Sequence, residues 1–222
     1  MMPVWLKQAK YALFDFDGVI ADTEPRYIDL DRAALAALGY EATDKDLESF
    51  IGKASEVAGP ELLARHGIQA TSEDYLAVWD SDAEIYGRED LEPSPGLREL
   101  WERLRERGCR IAVVSTTRCV SLVRALNRFG ILTYVDAIVG REMVSHAKPD
   151  PEPYERGLAL LAEMEGEEAA SARRRAVAFD DSPSGIASAR GAGILAVCYT
   201  GASMTLPVEG ADATISSFSA LL

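Results

Sequence analysis

The second half of this 222-residue chain alternates short apolar runs with amphipathic segments, and that alternation restricts its fold more than any other feature. Continuous apolar runs are typical of strands buried on both faces, and helices between such strands are typical of parallel sheets. We therefore predict an α/β fold with a mostly parallel sheet and helices on both faces. The predicted strands are 11–14, 110–114, 137–139, 176–179 and 194–198, and the predicted helices between the later strands are 97–107, 120–129, 152–164 and 184–192.

The segment after the first strand has a different pattern. Residues 25–87 contain no convincing strand and instead show helical periodicity, with breaks expected at Gly39, Gly52, Gly59-Pro60 and Gly67. Turn-forming and charged residues at 89–96 suit a loop in which the chain returns from this segment to the core. We therefore predict a small all-helical domain at 22–91, inserted after the first strand into a core domain of residues 1–21 and 92–222.

Composition narrows the range of partners. The formal charge of −13 disfavours binding to nucleic acid or to an anionic membrane, because both need clustered Lys and Arg. The three cysteines form an odd set without metal-like spacing, which suits reduced thiols. The amino terminus lacks the long apolar region of a secretory signal, and no stretch has the length of a membrane span. We expect a cytoplasmic protein.

Two carboxylates stand where the first apolar run ends. Asp15 follows the predicted strand, and Asp17 comes two residues later, before Gly18. Residues two apart share one side of an extended chain, so both carboxylates can address one group at the strand's carboxyl end, where open α/β sheets bind ligands. A divalent cation would offset their repulsion. Taken alone, the pair equally suits helix capping or a solvated turn.

Polar residues also follow the other core strands or stand in the loops between them. Ser115 and the N–H groups after it can hold phosphate oxygens, and Lys148 can offset the charge of a carboxylate and a phosphate. Of Asp180 and Asp181, one can bind a metal directly and the other through water. These oxygen ligands favour Mg²⁺. Each residue singly also suits capping or solvent exposure, but their joint occurrence in this order favours a site.

These segments together resemble the motifs of the haloacid dehalogenase superfamily. Residues 14–19 are similar to its first motif, 113–116 to its second, 148–151 to its third and 179–185 to its fourth. The resemblance covers essentially the whole chain and implies a Rossmann-like core. The helical insertion is similar to the small cap of the beta-phosphoglucomutase and phosphoglycolate phosphatase branch, which would close over the site.

The resemblance also implies a role for each motif residue. Asp15 is the expected nucleophile, and Asp17 is the expected general acid and then general base. Ser115 and Lys148 would clamp the phosphoryl group, with Thr116 beside them. Mg²⁺ would be held by Asp15, by the backbone carbonyl of Asp17 and by Asp181, with Asp180 in the outer shell.

Three positions bear on the reaction, one that matches the family's phosphatases and two that differ from its mutases. Aspartate at position 17 favours phosphoryl transfer from an oxygen ester over dehalogenation. Tyr27 stands where mutases of this branch carry a cap histidine, and Lys53 stands near the position of a cap arginine. Both differences favour hydrolysis. We therefore predict a Mg²⁺-dependent phosphatase that acts on a small phosphorylated metabolite, a sugar phosphate or a related phosphomonoester, through an aspartyl-phosphate intermediate.

Two alternatives stay open: a hexose phosphomutase of the beta-phosphoglucomutase type, and a non-catalytic sensor of phosphorylated metabolites. Contacts to a polar leaving group are expected from Arg26, Tyr27 and Lys53. The Thr23 hydroxyl is expected to contact the bound molecule on the phosphate side or on the substrate side. We expect a monomer or a weak homodimer.

Overall fold

The computed structural model describes residues 2–50, 55–78, 85–203 and 207–222. Two units divide the chain: one comprises Met1–Asp22 and Glu89–Leu222, and the other comprises Thr23–Arg88. The described part of the larger unit contains the sheet, and that of the smaller unit contains helices.

In the described part of the larger unit, six strands form the sheet, in the order β3-β2-β1-β4-β5-β6. Each neighbouring pair is parallel, and the central register sets Phe14 of β1 beside Val113 of β2 and Phe179 of β4. The strands are β1 Tyr11–Phe14, β2 Arg110–Val114, β3 Ala137–Val139, β4 Ala176–Asp180, β5 Leu195–Tyr199 and β6 Ala213–Ile215. The predicted α/β, Rossmann-like fold is confirmed, whereas β6 was not predicted.

The helices predicted between the strands are also confirmed, with each end within one residue of its predicted position. Among the described residues, none of the helices combines the length and apolar character needed to cross a membrane. Numbered in chain order, the α-helices are α1 Val4–Lys7, α2 Glu24–Ala37, α3 Asp44–Glu48, α4 Ser55–Arg65, α5 Ser72–Ala77, α6 Leu97–Glu106, α7 Cys119–Arg128, α8 Glu152–Met164, α9 Ala169–Ala172 and α10 Pro183–Gly191. Short 3₁₀ turns lie at Leu132–Tyr134, Arg141–Met143, Arg173–Arg175 and Phe218–Leu221.

The central strands β1 and β4 are buried along their whole length. Because alternate residues of a strand point to opposite sides, both faces of the sheet are covered there. On one side, Leu13 of β1 packs in a cluster with residues of α8 and α10 such as Leu158 and Ile186. Phe14, the next residue, belongs to an aromatic group: its ring stacks on that of Phe179, with centroids 4.6 Å apart, and meets Trp101 edge-on. The continuous apolar runs of the sequence follow from this two-sided burial.

The smaller unit has its own apolar core. Residues of α2, α4 and α5 meet there, including Leu35, Leu62 and Tyr75, which are almost completely buried. Capping boxes start two of its helices: the side chains of Thr43 and Thr71 each accept from the backbone N–H three residues later, and the backbone N–H of each threonine donates to the aspartate carboxylate at that position. These caps satisfy N–H groups that the helix itself leaves unpaired.

The helix break expected at Gly59-Pro60 is wrong, because α4 runs through it from Ser55 to Arg65. Proline in a helix leaves the carbonyl four residues earlier without its usual donor. Here that carbonyl belongs to Glu56, and the Ser72 hydroxyl donates to it at 2.6 Å. Gly59 packs against the Tyr75 ring so closely that a Cβ would lie 2.2 Å from it. Both residues are therefore explained by tertiary contacts rather than by a turn. The break expected at Gly52 lies outside the described residues.

Candidate active site

The candidate site lies in the larger unit, at the carboxyl ends of adjacent strands. Parallel pairing continues one residue beyond β1 and β2: the Asp15 N–H donates to the Phe179 carbonyl at 2.9 Å, and the Ser115 N–H donates to the Val139 carbonyl at 3.0 Å. Asp180 ends β4. The sheet therefore brings three of the predicted polar clusters to one edge, as their positions after the strands predicted.

Lys148 connects two of these clusters. Its ammonium nitrogen lies 2.8 Å from Oδ1 of Asp15 and 2.8 Å from Oδ2 of Asp180, and it donates to the Val114 carbonyl at 3.1 Å. The lysine side chain is only 4% exposed. A buried ammonium needs such partners, because transfer out of water is otherwise costly.

Asp180 has hydrogen-bond donors on both carboxylate oxygens. Oδ2 accepts hydrogen bonds from the Lys148 ammonium and from the hydroxyl of Tyr154, the latter at 2.6 Å. Oδ1 accepts hydrogen bonds from the backbone N–H and from the hydroxyl of Ser182, at 3.0 and 2.8 Å. The residue is fully buried. This environment suits a carboxylate that orients its neighbours.

Burial is the largest influence on the pKa values of Asp15 and Asp181. It raises the pKa of Asp15 to about 7, against the attraction of Lys148 and with a further upward effect of the charges on Asp180 and Asp17. Burial also raises the pKa of Asp181 to about 8, with the charges of Asp15 and Asp180 adding to the shift. The pKa of Lys148 moves upward, because attraction to Asp15 and Asp180 outweighs the effect of its own burial.

A second group of polar side chains surrounds Asp17. The Thr117 hydroxyl donates to Oδ2 of Asp17 at 2.9 Å, and the Ser115 hydroxyl approaches the same oxygen at 3.4 Å. The Ser115 oxygen also accepts from the Thr117 N–H at 3.0 Å. Thr117 was not among the predicted site residues, although it belongs to the polar run that follows β2. Thr116, which was predicted, is exposed beside them.

Asp15, Asp180 and Asp181 form a possible metal-binding group: each offers a carboxylate oxygen, and the three atoms lie within 4.8 Å of one another. Gly18 lets Asp181 approach this group, because a Cβ at Gly18 would lie 2.0 Å from Oδ2 of Asp181. Gly18 also has a φ of 72°, a conformation that glycine adopts readily. With one ammonium among three carboxylates, an oxygen-only donor set with residual negative charge fits a divalent cation.

The remaining predicted residues belong to the smaller unit. Thr23 immediately precedes α2, and Arg26 lies in its first turn, 3.8 Å from a carboxylate oxygen of Asp29. Lys53 lies outside the described residues. Tyr154, like Thr117, was not predicted; its position six residues after Lys148 and at the start of a helix was the available signal.

Comparisons with known proteins agree with this arrangement. A family model for haloacid dehalogenase-like hydrolases matches residues 12–198, which include all four motif segments. Phosphorylated carbohydrates phosphatase of Thermotoga maritima is 29% identical over 182 residues, 82% of this chain and 81% of that protein. Phosphoglycolate phosphatase of Rhodobacter capsulatus is 26% identical over 215 residues, 94% and 93% of the two chains. The crystal structure of CbbY from Rhodobacter sphaeroides in complex with phosphate has a TM-score of 0.76 at 24% identity, with 96% of each chain covered; it shows a shared fold.

Proposed function

This chain belongs to the haloacid dehalogenase-like hydrolase family, and we propose that it is a Mg²⁺-dependent phosphatase of small phosphorylated metabolites. Similarity to two phosphatases over most of their length supports the reaction class. The observation that carries the proposal is the position of Asp15, at the end of β1 with its carboxylate 2.8 Å from the buried Lys148 ammonium. A sugar phosphate or a related phosphomonoester is the proposed substrate.

In the proposed mechanism, a carboxylate oxygen of Asp15 attacks phosphorus and the ester P–O bond breaks. Asp17 gives its proton to the departing oxygen. Water then attacks phosphorus of the aspartyl phosphate, Asp17 takes a proton from that water, and the P–O bond to Asp15 breaks to release phosphate. The chain supplies positioning and charge stabilisation: Ser115, Thr116 and Lys148 hold the phosphoryl oxygens.

Asp15, Asp181 and the backbone carbonyl of Asp17 would hold Mg²⁺. The ion would stabilise the negative charge that develops on the phosphoryl oxygens. The side chain of Asp180 is assigned an indirect part, since its oxygens already accept from Lys148, Tyr154 and Ser182.

We also propose that the helical insertion at 22–91 is a cap domain that selects the substrate, and that residues 1–21 and 92–222 are the core domain. Arg26 and Lys53 are the proposed contacts to the part of the substrate beyond its phosphate, and the Thr23 hydroxyl is a proposed contact on the phosphate side or the substrate side. Hydrolysis is preferred to mutase action because Tyr27 stands where mutases of this branch carry a histidine.

A cytoplasmic location is part of the proposal. Cys109, Cys119 and Cys198 are free thiols, which a reducing compartment maintains. We propose a monomer or a weak homodimer that acts on free metabolites rather than on nucleic acid or membranes, and sedimentation at several protein concentrations would distinguish these two states.

The test is phosphate release from a panel of phosphomonoesters, with Mg²⁺ and with a chelator. We expect Mg²⁺-dependent release that Asp15→Asn abolishes while the circular dichroism spectrum is unchanged. Asp44→Asn, an amide substitution at a carboxylate 90% exposed in the helical unit, is the control and should keep full activity. Folded wild-type protein that releases no phosphate from any ester would refute the proposal. Interconversion of hexose phosphates faster than hydrolysis would identify a mutase instead.

A further inference from the structure

Tyr154 contacts both members of the Asp180–Lys148 ion pair. Its hydroxyl donates to Oδ2 of Asp180 at 2.6 Å, and the Lys148 ammonium lies 5.0 Å from the centroid of its ring. The tyrosine is completely buried. Its ring and its hydroxyl therefore act on different partners, since the ring faces a cation and the hydroxyl binds a carboxylate.

The approach of α8 to the sheet explains why this tyrosine reaches the site. Tyr154 lies in the first turn of α8, and Gly157 lies three residues later on the same helix. A Cβ at Gly157 would lie 2.8 Å from Val114 and 3.0 Å from Leu13. The absence of a side chain at Gly157 therefore favours close packing of α8 on β1 and β2.

Asp180 is the link between Tyr154 and the nucleophile position. Lys148 and Tyr154 share its Oδ2, while Ser182 binds Oδ1 through two donors. A carboxylate held on both oxygens has a fixed plane, so its Oδ2 gives the Lys148 ammonium a fixed partner. The same ammonium then lies 2.8 Å from Asp15.

We propose that Tyr154 is a positioning residue: by holding Asp180, its hydroxyl keeps the Lys148 ammonium in place beside Asp15. The kinetic consequence rests on the proposed phosphatase function. The positional claim rests on the contacts alone and can be measured without turnover.

The kinetic test is Tyr154→Phe, which removes the hydroxyl and keeps the ring. We expect kcat for p-nitrophenyl phosphate to fall about tenfold, the effect of one hydrogen bond to a charged group, with little change in KM. Tyr11→Phe is the matched control: Tyr11 is also fully buried and donates to a carboxylate, that of Glu167 at 3.0 Å, but it begins β1 at the opposite end from Asp15. The control should keep kcat. Equal losses in both variants would overturn the inference.

A second comparison tests whether the effect passes through Asp180. In an Asp180→Ala background, adding Tyr154→Phe should change kcat less than about twofold, because residue 180 then offers no side-chain acceptor for the hydroxyl. A full tenfold effect in that background would show that Tyr154 acts by another route and would overturn the inference.

The third measurement needs no activity. The ¹⁵N and ¹H resonances of the Lys148 ammonium report its hydrogen bonds, and Tyr154→Phe should shift them while Tyr11→Phe leaves them unchanged. An unchanged Lys148 resonance in Tyr154→Phe would overturn the positioning role, whatever the kinetics. Wild-type protein without phosphatase activity, combined with a shifted resonance in Tyr154→Phe, would refute the proposed function and leave the positioning role supported.

Discussion

The ammonium nitrogen of Lys148 lies 2.8 Å from Oδ1 of Asp15, and the lysine side chain is 4% exposed. Such a pair is sensitive to the loss of one partner, because the remaining charge then stays buried without compensation. In the proposed mechanism the same ammonium also stabilises the phosphoryl group that Asp15 receives. Stability and turnover therefore depend on one nitrogen atom.

Lys148→Met should lower both properties. We expect the free energy of unfolding at neutral pH to fall by about 3–5 kcal/mol, because Asp15 and Asp180 lose their shared cation. We also expect turnover to fall below detection. Adding Asp180→Asn to this variant should restore part of the stability but none of the activity. Urea unfolding and initial rates with p-nitrophenyl phosphate measure the two effects.

Lys7→Met is the control for this experiment. Lys7 is an exposed residue at the end of α1, so its replacement should change the free energy of unfolding by no more than about 0.5 kcal/mol. A Lys148→Met variant as stable as this control would contradict the assignment of a tightly held buried pair.

Sequence patterns predicted the parts of the fold that depend on local periodicity. Strands β1 to β5 are continuous apolar runs because both faces of the sheet are covered there. Such a run can be recognised in the sequence without knowing which strands lie beside it. In contrast, β6 spans only Ala213–Ile215 and is not fully buried. The path of α4 through Gly59-Pro60 depends on contacts with Ser72 and Tyr75, which come from a different helix. The helix break predicted from the glycine and proline alone was therefore wrong.

The same division holds within the candidate site. Asp15, Ser115 and Asp180 follow strands, and parallel strands bring their carboxyl ends to one edge, so their proximity was predictable. Thr117 and Tyr154 join them through side-chain hydrogen bonds whose geometry depends on a loop and on the distance of α8 from the sheet. Spacing along the chain does not specify such geometry.

Thr117 should matter for turnover through Asp17. Its hydroxyl donates to Oδ2 of Asp17 at 2.9 Å, so Thr117→Val removes a contact that orients the proposed acid and base. We expect kcat for an alkyl phosphate, whose leaving oxygen needs a proton, to fall about tenfold. Thr117→Ser keeps a hydroxyl and should recover most of the activity. Steady-state rates test this, and a serine variant as slow as the valine variant would argue against a role for the hydroxyl.

Tyr75 should stabilise the helical unit through a buried carboxylate. Its hydroxyl donates to Oδ1 of Asp31 at 2.8 Å, and Ser55 donates to Oδ2 at 2.9 Å. Tyr75→Phe removes one of these donors from a carboxylate that is 3% exposed, so we expect a loss of about 1–3 kcal/mol in the free energy of unfolding.

The control for Tyr75→Phe is Tyr134→Phe. The Tyr134 hydroxyl donates to the exposed Glu102 at 2.8 Å, and solvent can replace that contact, so the loss should stay below about 0.5 kcal/mol. Urea unfolding followed by circular dichroism compares the two variants. Equal losses would mean that burial of Asp31 does not strengthen its dependence on the tyrosine.

Glu167 should make stability depend on pH. Its carboxylate accepts from Lys10 at 2.8 Å, from Tyr11 at 3.0 Å and from Arg175. These contacts lower the pKa of the carboxyl from 4.5 to about 2, and the hydrogen bond from Lys10 has the largest effect. A carboxyl with a lowered pKa in the folded state contributes stability above its unfolded pKa, and that contribution disappears as pH falls through the folded pKa. Glu167→Gln should therefore be less stable than the wild type at pH 7, and the difference should shrink between about pH 4.5 and about pH 2.

Glu163→Gln, at an exposed position near the end of α8, is the control and should follow the wild-type curve of stability against pH throughout. Urea midpoints at constant ionic strength measure these differences, and a gap between Glu167→Gln and the wild type that stays constant down to pH 2 would show that the Glu167 charge is not the source.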